Sequence, residues 1–485
     1  MKYEAVIGLE VHAEMATQSK MFCSCRVVDA TQSAPNIAVC PVCSGLPGVL
    51  PVVNQKAVAY GIRVALALEC TVAHRSIFAR KNYFYPDLPK GYQISQYEFP
   101  LAEKGVLNIQ TSQGERVIRI TRVHLEEDTG KLTHVVEGDK SFTLVDLNRA
   151  GVPLLEIVSE PDMHTAEEAV AYGEALRAVV RYLGVNSGDM QKGVIRFEAN
   201  VSIRPEGVTT LGTRTEIKNL NSFRAMERAI NYEIKRQGEL LDAGQPVLQE
   251  TLGWDETKEV TFSQRSKEEA HDYRYFPDPD LPPLVVSEEW IAREAATLPE
   301  LPRQKYERLV QDYQLSPEDA RQLISTQELA DYFEAVVQAG GNQPPRLAAN
   351  WITGELMAWI NQSGETLESL RVTPAHLAGL IAEVQEGVIN LATAKKLFAE
   401  MAVHGKFAKD LIAEQGLQQI SDGDAILALV NEVLAANPQE LQSYLDGKES
   451  LENWFFGQIM RLAKGKGNPA TIRAQLDARL IDLKK

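Results

Sequence analysis

Alternation of hydrophobic and polar residues marks several strands in the N-terminal part of the chain. In the clearest example, residues 194–205, Glu198 shares one face with other polar side chains, and apolar side chains occupy the opposite face. Residues 6–14 repeat the pattern and place Glu10 and His12 together on a polar face. Such patterns are typical of strands that bury one face of a sheet, and the polar face is normally the one exposed to solvent.

Helical spacing alternates with these strands and then replaces them. Thr165 is the expected N-cap of a helix over residues 166–183. An Asn-Ser pair predicts the start of another helix, which runs from residue 223 to about residue 237. Beyond a proline-rich boundary at residues 275–283, the pattern predicts helices of moderate length, for example over residues 317–327, 328–338, 347–362 and 393–401.

The order of these elements predicts an α+β fold with three domains. A length of 485 residues exceeds that of one ordinary domain. We expect residues 1–290 to form an N-terminal domain built on a mixed or antiparallel sheet, because strands and helices do not alternate with the regularity of a parallel one. All-helical middle and tail domains are expected over residues 291–405 and 406–485.

Carboxylates inside apolar, strand-like segments are the main chemical signal. Glu156 has apolar neighbours on both sides within residues 152–158, and residues 124–128 end another such segment with three consecutive acids. A carboxylate buried without a partner costs several kcal/mol, so it changes its protonation or finds a cation. Several of them at one place would bind a hard metal ion. For Glu198 a solvent-exposed face remains the alternative, and acids and bases on neighbouring strands also form ordinary ion pairs.

Four of the five cysteines form two closely spaced pairs, Cys23-x-Cys25 and Cys40-x-x-Cys43. In a chain without a secretion signal, such pairs indicate a zinc site rather than disulfides. Four thiolates leave no open coordination position, so the expected role of the zinc is structural, and it would fix the loop that carries the cysteines. A chance cluster of buried cysteines is the alternative. Cys70 lies in an apolar helical run and is assigned to the core.

Composition and charge narrow the location and the partners. The chain is 44% hydrophobic and 24% charged, as in ordinary soluble proteins, and no apolar run reaches the roughly 18 residues of a membrane helix. Because no signal-peptide pattern is present, we expect a cytoplasmic location. The net charge of −16 argues against a general polyanion binder. Residues 451–485 reverse this locally, with seven Lys or Arg against three Asp or Glu, which is typical of nucleic-acid contact or of a solvated helix surface.

Missing motifs exclude several kinds of chemistry. The sequence contains no phosphate-binding loop of the G-x-x-x-x-G-K-[ST] type, no G-x-G-x-x-G after a strand and no G-x-S-x-G nucleophile motif. What remains is a carboxylate-rich site with basic residues in neighbouring polar segments, namely Lys81, Lys90, Arg149, Arg196, Arg214 and Lys218. Acids that hold Mg²⁺ beside bases that hold phosphate are the arrangement that phosphoryl transfer needs.

Longer motifs are more specific than these single residues. Residues 81–96 read KNYFYPDLPKGYQISQ, and further motifs lie at residues 124–131, 144–149, 155–162, 216–223 and 274–280. On these motifs the chain resembles the B subunit of the tRNA-dependent glutamyl/aspartyl-tRNA amidotransferases over residues 8–283. The basic, glycine-rich turn that includes residues 464–467 is similar to part of the tail domain of that family.

This resemblance implies a ligase subunit that corrects Glu-tRNA(Gln) to Gln-tRNA(Gln), Asp-tRNA(Asn) to Asn-tRNA(Asn), or both. Members of the family use ATP and Mg²⁺ to phosphorylate the side-chain carboxylate of the misattached amino acid, and ammonia then displaces the phosphate. The ammonia is released from glutamine by a separate amidase (glutaminase) subunit. In the heterotrimer, a small third subunit holds the other two together. The N-terminal domain would be a kinase-like cradle, the middle domain a link, and the tail domain the part that binds tRNA.

The resemblance also implies roles for individual residues. Four of them would bind Mg²⁺: Glu10, His12, Glu127 and Glu156. Lys81 and Glu198 match further active-site positions, so that the implied catalytic residues are Lys81, Glu127, Glu156 and Glu198. Some relatives carry Asp at the position of Glu198, and the longer acid would shift a coordination position or insert a water. Two other interpretations remain open: a zinc-stabilised tRNA-binding module without catalysis, and an ATP-dependent amino-acid ligase that acts without tRNA.

Overall fold

The chain forms two compact units in the computed structural model, Met1–Pro302 and Arg303–Lys485. The structure describes residues 2–266, 273–418, 423–463 and 467–484. The first unit combines a large sheet with helices, and the second unit is helical. The prediction of an α+β fold, with the sheet in the N-terminal part and helices after it, is therefore confirmed.

Within the part of the chain that the structure describes, the strands and the first four helices lie in the first unit. The strands are β1 (Tyr3–Glu14), β2 (Thr71–Val72), β3 (Arg75–Ser76), β4 (Ala79–Asn82), β5 (Tyr92–Ser95), β6 (Ala102–Thr111), β7 (Gly114–Glu127), β8 (Lys131–Glu137), β9 (Lys140–Asp146), β10 (Pro153–Ser159), β11 (Ile195–Pro205), β12 (Thr215–Lys218), β13 (Glu250–Asp255), β14 (Val260–Ser266), β15 (Phe276–Pro277) and β16 (Leu284–Val285). The helices are α1 (Gln55–Ala67), α2 (Ala166–Tyr182), α3 (Phe223–Asp242) and α4 (Glu288–Ala295).

Nine of these strands form one sheet, in the order β14-β13-β12-β11-β1-β10-β7-β6-β2. Its neighbouring strands are antiparallel except for the parallel pair β12 and β13. The register places Glu10 opposite Glu198, and it places His12 opposite Glu156 on one side and Arg196 on the other. Because directly opposite residues share a face, the polar faces predicted for β1 and β11 lie on the same side of the sheet.

The other side of the sheet forms the hydrophobic core of the first unit. Leu9 and Val11 of β1 are fully buried there in one cluster with Ile62 of α1 and Tyr172 of α2. α1 packs against β7, and α2 packs against β6 and α3. Burial of apolar area is the main favourable term in folding, so this side of the sheet stabilises the unit and leaves the polar side available for chemistry.

Both helix starts predicted in this unit are confirmed. Thr165 caps α2 and Ser222 caps α3, and each hydroxyl accepts a hydrogen bond from the backbone N–H three residues further on. α3 continues to Asp242, past the predicted end near Gln237. Gln237 is buried, and its side chain donates to the carbonyl of Val201 on β11 (3.1 Å). The hydrophobic pattern of the helix weakens at the polar residue Gln237. The helix nevertheless continues, because Gln237 is held against the sheet.

Smaller sheets complete the first unit. β4 pairs with both β5 and β15, β3 pairs with β16, and β8 and β9 form a hairpin. The central strand of the three-stranded sheet, β4, carries Lys81. Its partner β15 begins at Phe276, which pairs with Arg80. The sheet therefore brings the proline-rich boundary segment next to the predicted active-site lysine.

Helices build the second unit. They are α5 (Pro302–Gln311), α6 (Pro317–Leu323), α7 (Gln327–Gly340), α8 (Pro345–Trp351), α9 (Met357–Ser363), α10 (Pro374–Gln385), α11 (Leu391–His404), α12 (Ala408–Gln415), α13 (Gly423–Ala436), α14 (Pro438–Leu445), α15 (Leu451–Leu462) and α16 (Pro469–Lys484). Two separate hydrophobic clusters lie within this unit, one from Leu309 to Ile412 and one from Ile426 to Leu480. The division into three domains, with a boundary near residue 405, stays a prediction.

One predicted helix of the second unit, over residues 347–362, is interrupted. A π-helical segment, Ile352–Leu356, separates α8 from α9. Within it the hydroxyl of Thr353 donates to the carbonyl of Ala349 (2.9 Å), a bond that competes with the regular helical pattern. The periodicity of apolar residues continues through the segment, so it could not reveal the interruption.

Two further predictions concern the basic turn near the C-terminus and membrane-spanning helices. Residues 464–466, which belong to the predicted basic, glycine-rich turn, lie outside the described residues, although α15 does end just before them at Leu462. Among the residues that the structure describes, no helix has the length and apolar character needed to cross a membrane.

Candidate active site

The centre of the polar side of the sheet carries a cluster of imidazoles and carboxylates, which we call the histidine cluster: His12, His124, Glu126 and Glu156. Glu156 of β10 lies opposite His12 of β1 and His124 of β7. Its Oε2 is 2.9 Å from His124 Nε2 and 3.5 Å from His12 Nε2. Glu126 Oε1 is 3.6 Å from His12 Nε2. Three adjacent strands therefore deliver these four side chains to one place.

Protonation in the histidine cluster follows from burial and from these contacts. Burial alone would lower the pKa of His12, but the hydrogen bond with Glu156 and the surrounding carboxylates raise it to about 9. Burial alone would raise the pKa of Glu156, but the two imidazoles hold it well below its usual range. Burial and the charge of Glu156 raise the pKa of Glu126. The cluster thus contains an ionised carboxylate, that of Glu156, beside a protonated imidazole, that of His12.

A second group of acids lies beside it on β1, β11 and β12, and we call it the acid cluster: Glu10, Glu198 and Glu216. One carboxylate oxygen from each of the three lies within 4.8 Å of the others. Lys218 Nζ is 2.7 Å from Glu198 Oε2 and 3.7 Å from Glu216 Oε1. Asn200 Nδ2 donates to Glu10 Oε1 (2.9 Å). One ammonium therefore faces three carboxylates.

The pKa values of the acid cluster reflect this imbalance of charge. Burial opposes ionisation of Glu198, but Lys218 and His12 lower its pKa to about 2. Burial raises the pKa of Glu10, and the charges of Glu156, Glu198 and Glu216 raise it further. A group of buried carboxylates with too few cations is the electrostatic condition in which an added divalent cation is most favoured.

The donor atoms of both clusters suit a hard metal ion. Once His12 has lost its proton to make room for a metal, His12, Glu126 and Glu156 offer one nitrogen and two carboxylate oxygens within 4.8 Å, and the acid cluster offers three oxygens in the same range. Mg²⁺ prefers carboxylate oxygens and keeps several waters as further ligands. Among the described residues, His12 Nδ1 and Asn200 Oδ1 find no hydrogen-bond partner although both are buried, so polar atoms at both clusters have capacity for water or for a ligand.

Glu10, His12, Glu156 and Glu198, which the sequence implicated, are brought together here, whereas Glu127 and Lys81 lie outside the two clusters. Glu127 forms an ion pair with Lys90, and its Oε1 also accepts the backbone N–H of Ile94 (3.0 Å). Its neighbour Glu126 is the one that lies beside His12, because alternate residues of β7 share a face with His124. The role of Glu127 as a metal ligand stays a prediction.

Three members of the two clusters were not singled out from the sequence: His124, Glu126 and Glu216. A signal for two of them was present, since His124 and Glu126 alternate along a strand-like segment. Glu216 lies in a motif that carries the family resemblance. The local sequence does not mark it as a site residue any more than it marks Lys218, two positions further on. The register of β11 against β12 is what places Glu216 opposite Asn200 and hence near Glu10.

Lys81 lies on β4, with tyrosine rings around its ammonium. Its Nζ is 4.9 Å from the centre of the Tyr273 ring and 5.9 Å from that of Tyr83. Burial lowers the pKa of Lys81, but Tyr275 and the carboxylates Glu126 and Glu156 together raise it above its usual value. Lys81 is therefore a protonated cation whose electrostatic environment includes the histidine cluster.

A further pair of cations lies on the same side of the sheet. Arg196 of β11 is 2.8 Å from Asp128 and 3.9 Å from Glu14. Arg149 is 3.6 Å from the same oxygen of Asp128, and its guanidinium also donates to the carbonyl of Thr129 (3.1 Å). Burial opposes ionisation of Asp128, but the two guanidiniums lower its pKa to about 2. Acids and bases thus alternate across the polar face.

The four predicted cysteine ligands also meet, in the loop that follows β1. Their sulfur atoms all lie within 4.8 Å of one another, and Cys40 and Cys43 Sγ are 3.9 Å apart. Tetrahedral zinc with bonds of about 2.3 Å requires sulfur atoms about 3.8 Å apart, so the cluster fits that ion. The buried Lys20 ammonium is 3.6 Å from Cys43 Sγ and donates to the carbonyls of Ala38 and Leu147.

The thiols of this cluster influence one another strongly. A hydrogen bond from Cys23, with help from the backbone of Cys40 and the charge of Lys20, lowers the pKa of Cys43 to about 4. Burial and the hydrogen bond with Cys40 raise the pKa of Cys25 to about 11. One thiolate is thus already favoured, and a divalent cation would complete the ionisation of the others. Cys70 lies apart from the cluster and is buried in the core, as predicted.

These features define the class of protein: an α+β protein with carboxylate and histidine donors on one face of a large sheet, a four-cysteine loop and helices after the sheet. Comparison with known proteins makes this specific. A family model described as the GatB/GatE catalytic domain matches residues 5–292, and one described as the GatB domain matches residues 331–480. The chain belongs to the family formed by the B subunit of the aspartyl/glutamyl-tRNA amidotransferases.

Similarity to curated proteins extends over the whole chain. The B subunit of the aspartyl/glutamyl-tRNA(Asn/Gln) amidotransferase from Myxococcus xanthus is 52% identical, and the match covers 99% of both chains. The protein of the same name from Thermodesulfovibrio yellowstonii is 50% identical over 97% of this chain and 98% of its own. That from Carboxydothermus hydrogenoformans is 48% identical over 99% of this chain and all of its own. The resemblance seen in the sequence motifs is therefore confirmed.

Proposed function

We propose that this chain is the subunit that activates and amidates the side-chain carboxylate of Glu-tRNA(Gln), Asp-tRNA(Asn) or both, with ATP and Mg²⁺. The observation that carries the proposal is the density of charge on one face of the sheet. The histidine cluster, the acid cluster and the cations Lys81, Arg196 and Lys218 all lie on or next to this face. A tRNA-binding module without catalysis has no use for buried carboxylates that cost free energy in the absence of a cation.

The residues that would hold Mg²⁺ are Glu10 and Glu198 of the acid cluster, with His12 and Glu156 of the histidine cluster beside them. Bound there, the metal would neutralise charge on the phosphoryl group. Glu126 is a further candidate because of its distance to His12. Glu127, which the family motif implies, would act from its position beside Lys90. Because Glu126 and Glu127 are adjacent in the chain, a comparison of their variants is the sharpest test of where the metal binds.

The reaction follows from the weakness of a free carboxylate as an electrophile. An oxygen of the substrate carboxylate bonds to the γ-phosphorus of ATP while the bond from that phosphorus to ADP breaks. Ammonia then attacks the acyl carbon, phosphate leaves with the carbon–oxygen electron pair, and the proton lost by the nitrogen departs with phosphate. Fixed cations such as Lys81 and Arg196 stabilise the charge that moves in the first step.

Other parts of the chain would support this reaction. The four-cysteine loop would bind structural zinc, and the helical tail would bind the tRNA. The relatives are named as the B subunit of an amidotransferase, which indicates a complex. We propose two partners in a heterotrimer: an amidase (glutaminase) subunit that supplies ammonia, and a small third subunit. A translation enzyme of this kind would act in the cytoplasm.

The proposal is tested with the assembled complex, Glu-tRNA(Gln) or Asp-tRNA(Asn), γ-labelled ATP and ammonia. We expect formation of ADP and of the amidated tRNA to depend on both ATP and Mg²⁺. Glu126→Gln and Glu127→Gln are compared as neighbours in the same strand. A loss of Mg²⁺ affinity confined to Glu126→Gln would assign the metal to the histidine cluster, whereas a loss confined to Glu127→Gln would support the residue implied by the motif.

Three results would contradict the proposal. Amidation that proceeds at full rate without ATP would exclude phosphorylation as the activating step. Binding of charged tRNA with no amidation under any condition would favour the tRNA-binding module instead. ATP-dependent amidation of free glutamate would point to a ligase that acts without tRNA.

A further inference from the structure

Tyrosine rings form a continuous row beside Lys81. Each ring centre lies 6.0, 6.0, 6.1 and 4.5 Å from the next one in the order Tyr85, Tyr83, Tyr273, Tyr275 and Tyr97. The last pair is stacked with an angle of 10° between the rings, and the other contacts are edge-on. We call these residues the tyrosine row. The row joins the strand region of Lys81 to the segment just before β15, which is remote in sequence.

The rings take the place of the anion that a half-buried lysine normally contacts. Among the residues that the structure describes, Lys81 Nζ makes no hydrogen bond and no ion pair. Its closest ring is Tyr273, at 4.9 Å from the centre. The face of an aromatic ring attracts a cation through its quadrupole, and tyrosine is well suited to this contact. The raised pKa of Lys81 reflects Tyr275 first, and then Glu126 and Glu156, which attract the same cation.

The position of Tyr273 is itself fixed from the strand that carries the lysine. Asn82 Nδ2 donates to the carbonyl oxygens of Tyr273 (3.0 Å) and Arg274 (2.9 Å). Arg274 adopts a left-handed backbone conformation with φ of 44°, which a residue other than glycine adopts only where its surroundings hold it. The chain then joins β15, whose Phe276 pairs with Arg80 of β4. The ring and the lysine are therefore parts of one small hydrogen-bonded unit.

We propose that Tyr273 is a positioning residue for Lys81, and that Asn82 and Tyr275 hold Tyr273 in place. The ring keeps the ammonium in one location before any phosphate is bound. A flexible lysine side chain otherwise occupies many rotamers, and a cation that is already placed when charge moves needs no reorganisation. This inference rests on the proposed function, because it assigns Lys81 to the phosphoryl-transfer step.

The test uses the assembled complex and variants at the middle of the row, at one end of it and at Asn82. Tyr273→Leu removes the ring, Tyr273→Phe keeps the ring and removes the hydroxyl, and Asn82→Ala releases the backbone of Tyr273. Tyr85→Leu is the matched control, since Tyr85 belongs to the row but makes no ring contact with Lys81 in the described structure. Two readouts are taken: the rate at which an amine-reactive reagent modifies Lys81, measured by mass spectrometry against Lys90, and kcat and KM for ATP in ammonia-dependent amidation.

We expect Tyr273→Leu to speed the modification of Lys81 and to lower kcat about tenfold, with a smaller change in KM, because the ring contact is worth about that factor. Asn82→Ala should change both readouts in the same direction by a smaller factor. Tyr273→Phe should remain within about twofold of the unaltered protein, since the ring remains. Tyr85→Leu should change neither readout.

Several outcomes would overturn the proposal. Unchanged modification of Lys81 in Tyr273→Leu would show that the ring does not hold the ammonium. A Tyr273→Phe variant as impaired as Tyr273→Leu would assign the effect to the hydroxyl. Full ATP-dependent amidation by Lys81→Met would refute the role of the lysine in the proposed function, and the modification rates would still decide whether the ring holds the lysine.

Discussion

The cysteine loop and the polar face of the sheet both gather metal-ligand atoms, but they do so by different means. Two short segments of the loop supply the four sulfur atoms, and one buried cation, Lys20, lies beside Cys43. The polar face draws its oxygens from β1, β7, β10, β11 and β12, which together extend from Tyr3 to Lys218. The loop depends on local turns, whereas the face depends on the register of a whole sheet.

This difference teaches which cluster suits structure and which suits chemistry. Four thiolates satisfy a zinc ion completely, so nothing else can bind to it. The carboxylate clusters offer three ligand atoms each and lie beside several cations, so a metal there would keep positions for water and for phosphate. A closed site stabilises a fold, and an open site on a rigid sheet can take part in a reaction.

The largest expected effect comes from breaking the closed site. Cys43→Ser should abolish stoichiometric zinc. The binding free energy of zinc at a complete four-thiolate site is on the order of 10 kcal/mol, and the variant lacks one of the four ligands. Metal analysis of freshly purified protein checks this. Cys70→Ser is the matched control, since Cys70 is a buried cysteine outside the cluster, and its zinc content should not change. Full zinc in Cys43→Ser would contradict the assignment.

The next effect comes from the open site. Glu156→Gln should lower kcat for ammonia-dependent amidation by roughly a hundredfold to a thousandfold, since Glu156 is in contact with both His12 and His124 and its charge organises the histidine cluster. Zinc content should stay the same, which separates the two sites. Glu160→Gln is the control from just beyond the end of the same strand, where Glu160 accepts a hydrogen bond from Thr121. Activity of Glu156→Gln within a few fold of the unaltered complex would remove it from the site.

A smaller effect tests the charge balance of the acid cluster. Lys218→Met leaves Glu198 and Glu216 without their ammonium, so the free energy of unfolding in metal-free buffer should fall by about 2 kcal/mol. Added Mg²⁺ should recover part of this loss, because a bound divalent cation neutralises the same carboxylates. Denaturant unfolding with and without Mg²⁺ measures both. Lys258→Met, at a mostly exposed pair with Asp255, should show neither change.

An effect of similar size, which depends on pH, is expected at Asp128. The pKa of Asp128 falls from 3.8 to about 2 on folding because of Arg196 and Arg149, which outweigh burial. Its contribution to stability is therefore present above pH 3.8 and is lost as the pH falls through about 2. Asp128→Asn should be less stable by about 2 kcal/mol at neutral pH, and the difference should vanish in acid. A difference that is the same at every pH would mean that the carboxylate charge is not the cause.

Much of this arrangement was predictable because it is local. Alternation along residues 6–14 and 194–205 is enough to place Glu10 and Glu198 on polar faces, and the register confirms that these faces coincide. The caps at Thr165 and Ser222 follow from short-range hydrogen bonding. The spacing of the cysteines similarly predicts their meeting, since two turns are all that is needed.

What could not be predicted depends on partners distant in sequence. Three consecutive acids lie at the end of β7. Alternation along the strand groups Glu126 with His124, but only the strand's pairing with β10 places that face beside His12. Glu216 reaches the acid cluster through the pairing of β11 with β12. No periodicity within one segment contains this information, because it belongs to two segments at once.

The central place of β1 in the large sheet has a consequence for synthesis of the protein. Its partners are β10, which begins at Pro153, and β11, which ends at Pro205. At about 5 to 20 residues per second, the ribosome needs roughly 7 to 30 s after completing β1 to begin making its first neighbour. During that interval the apolar side of β1, with Leu9 and Val11, has no sheet to join. The segment that supplies Glu10 and His12 thus stays exposed to aggregation throughout that interval, which ties the yield of active enzyme to the shielding of the nascent chain.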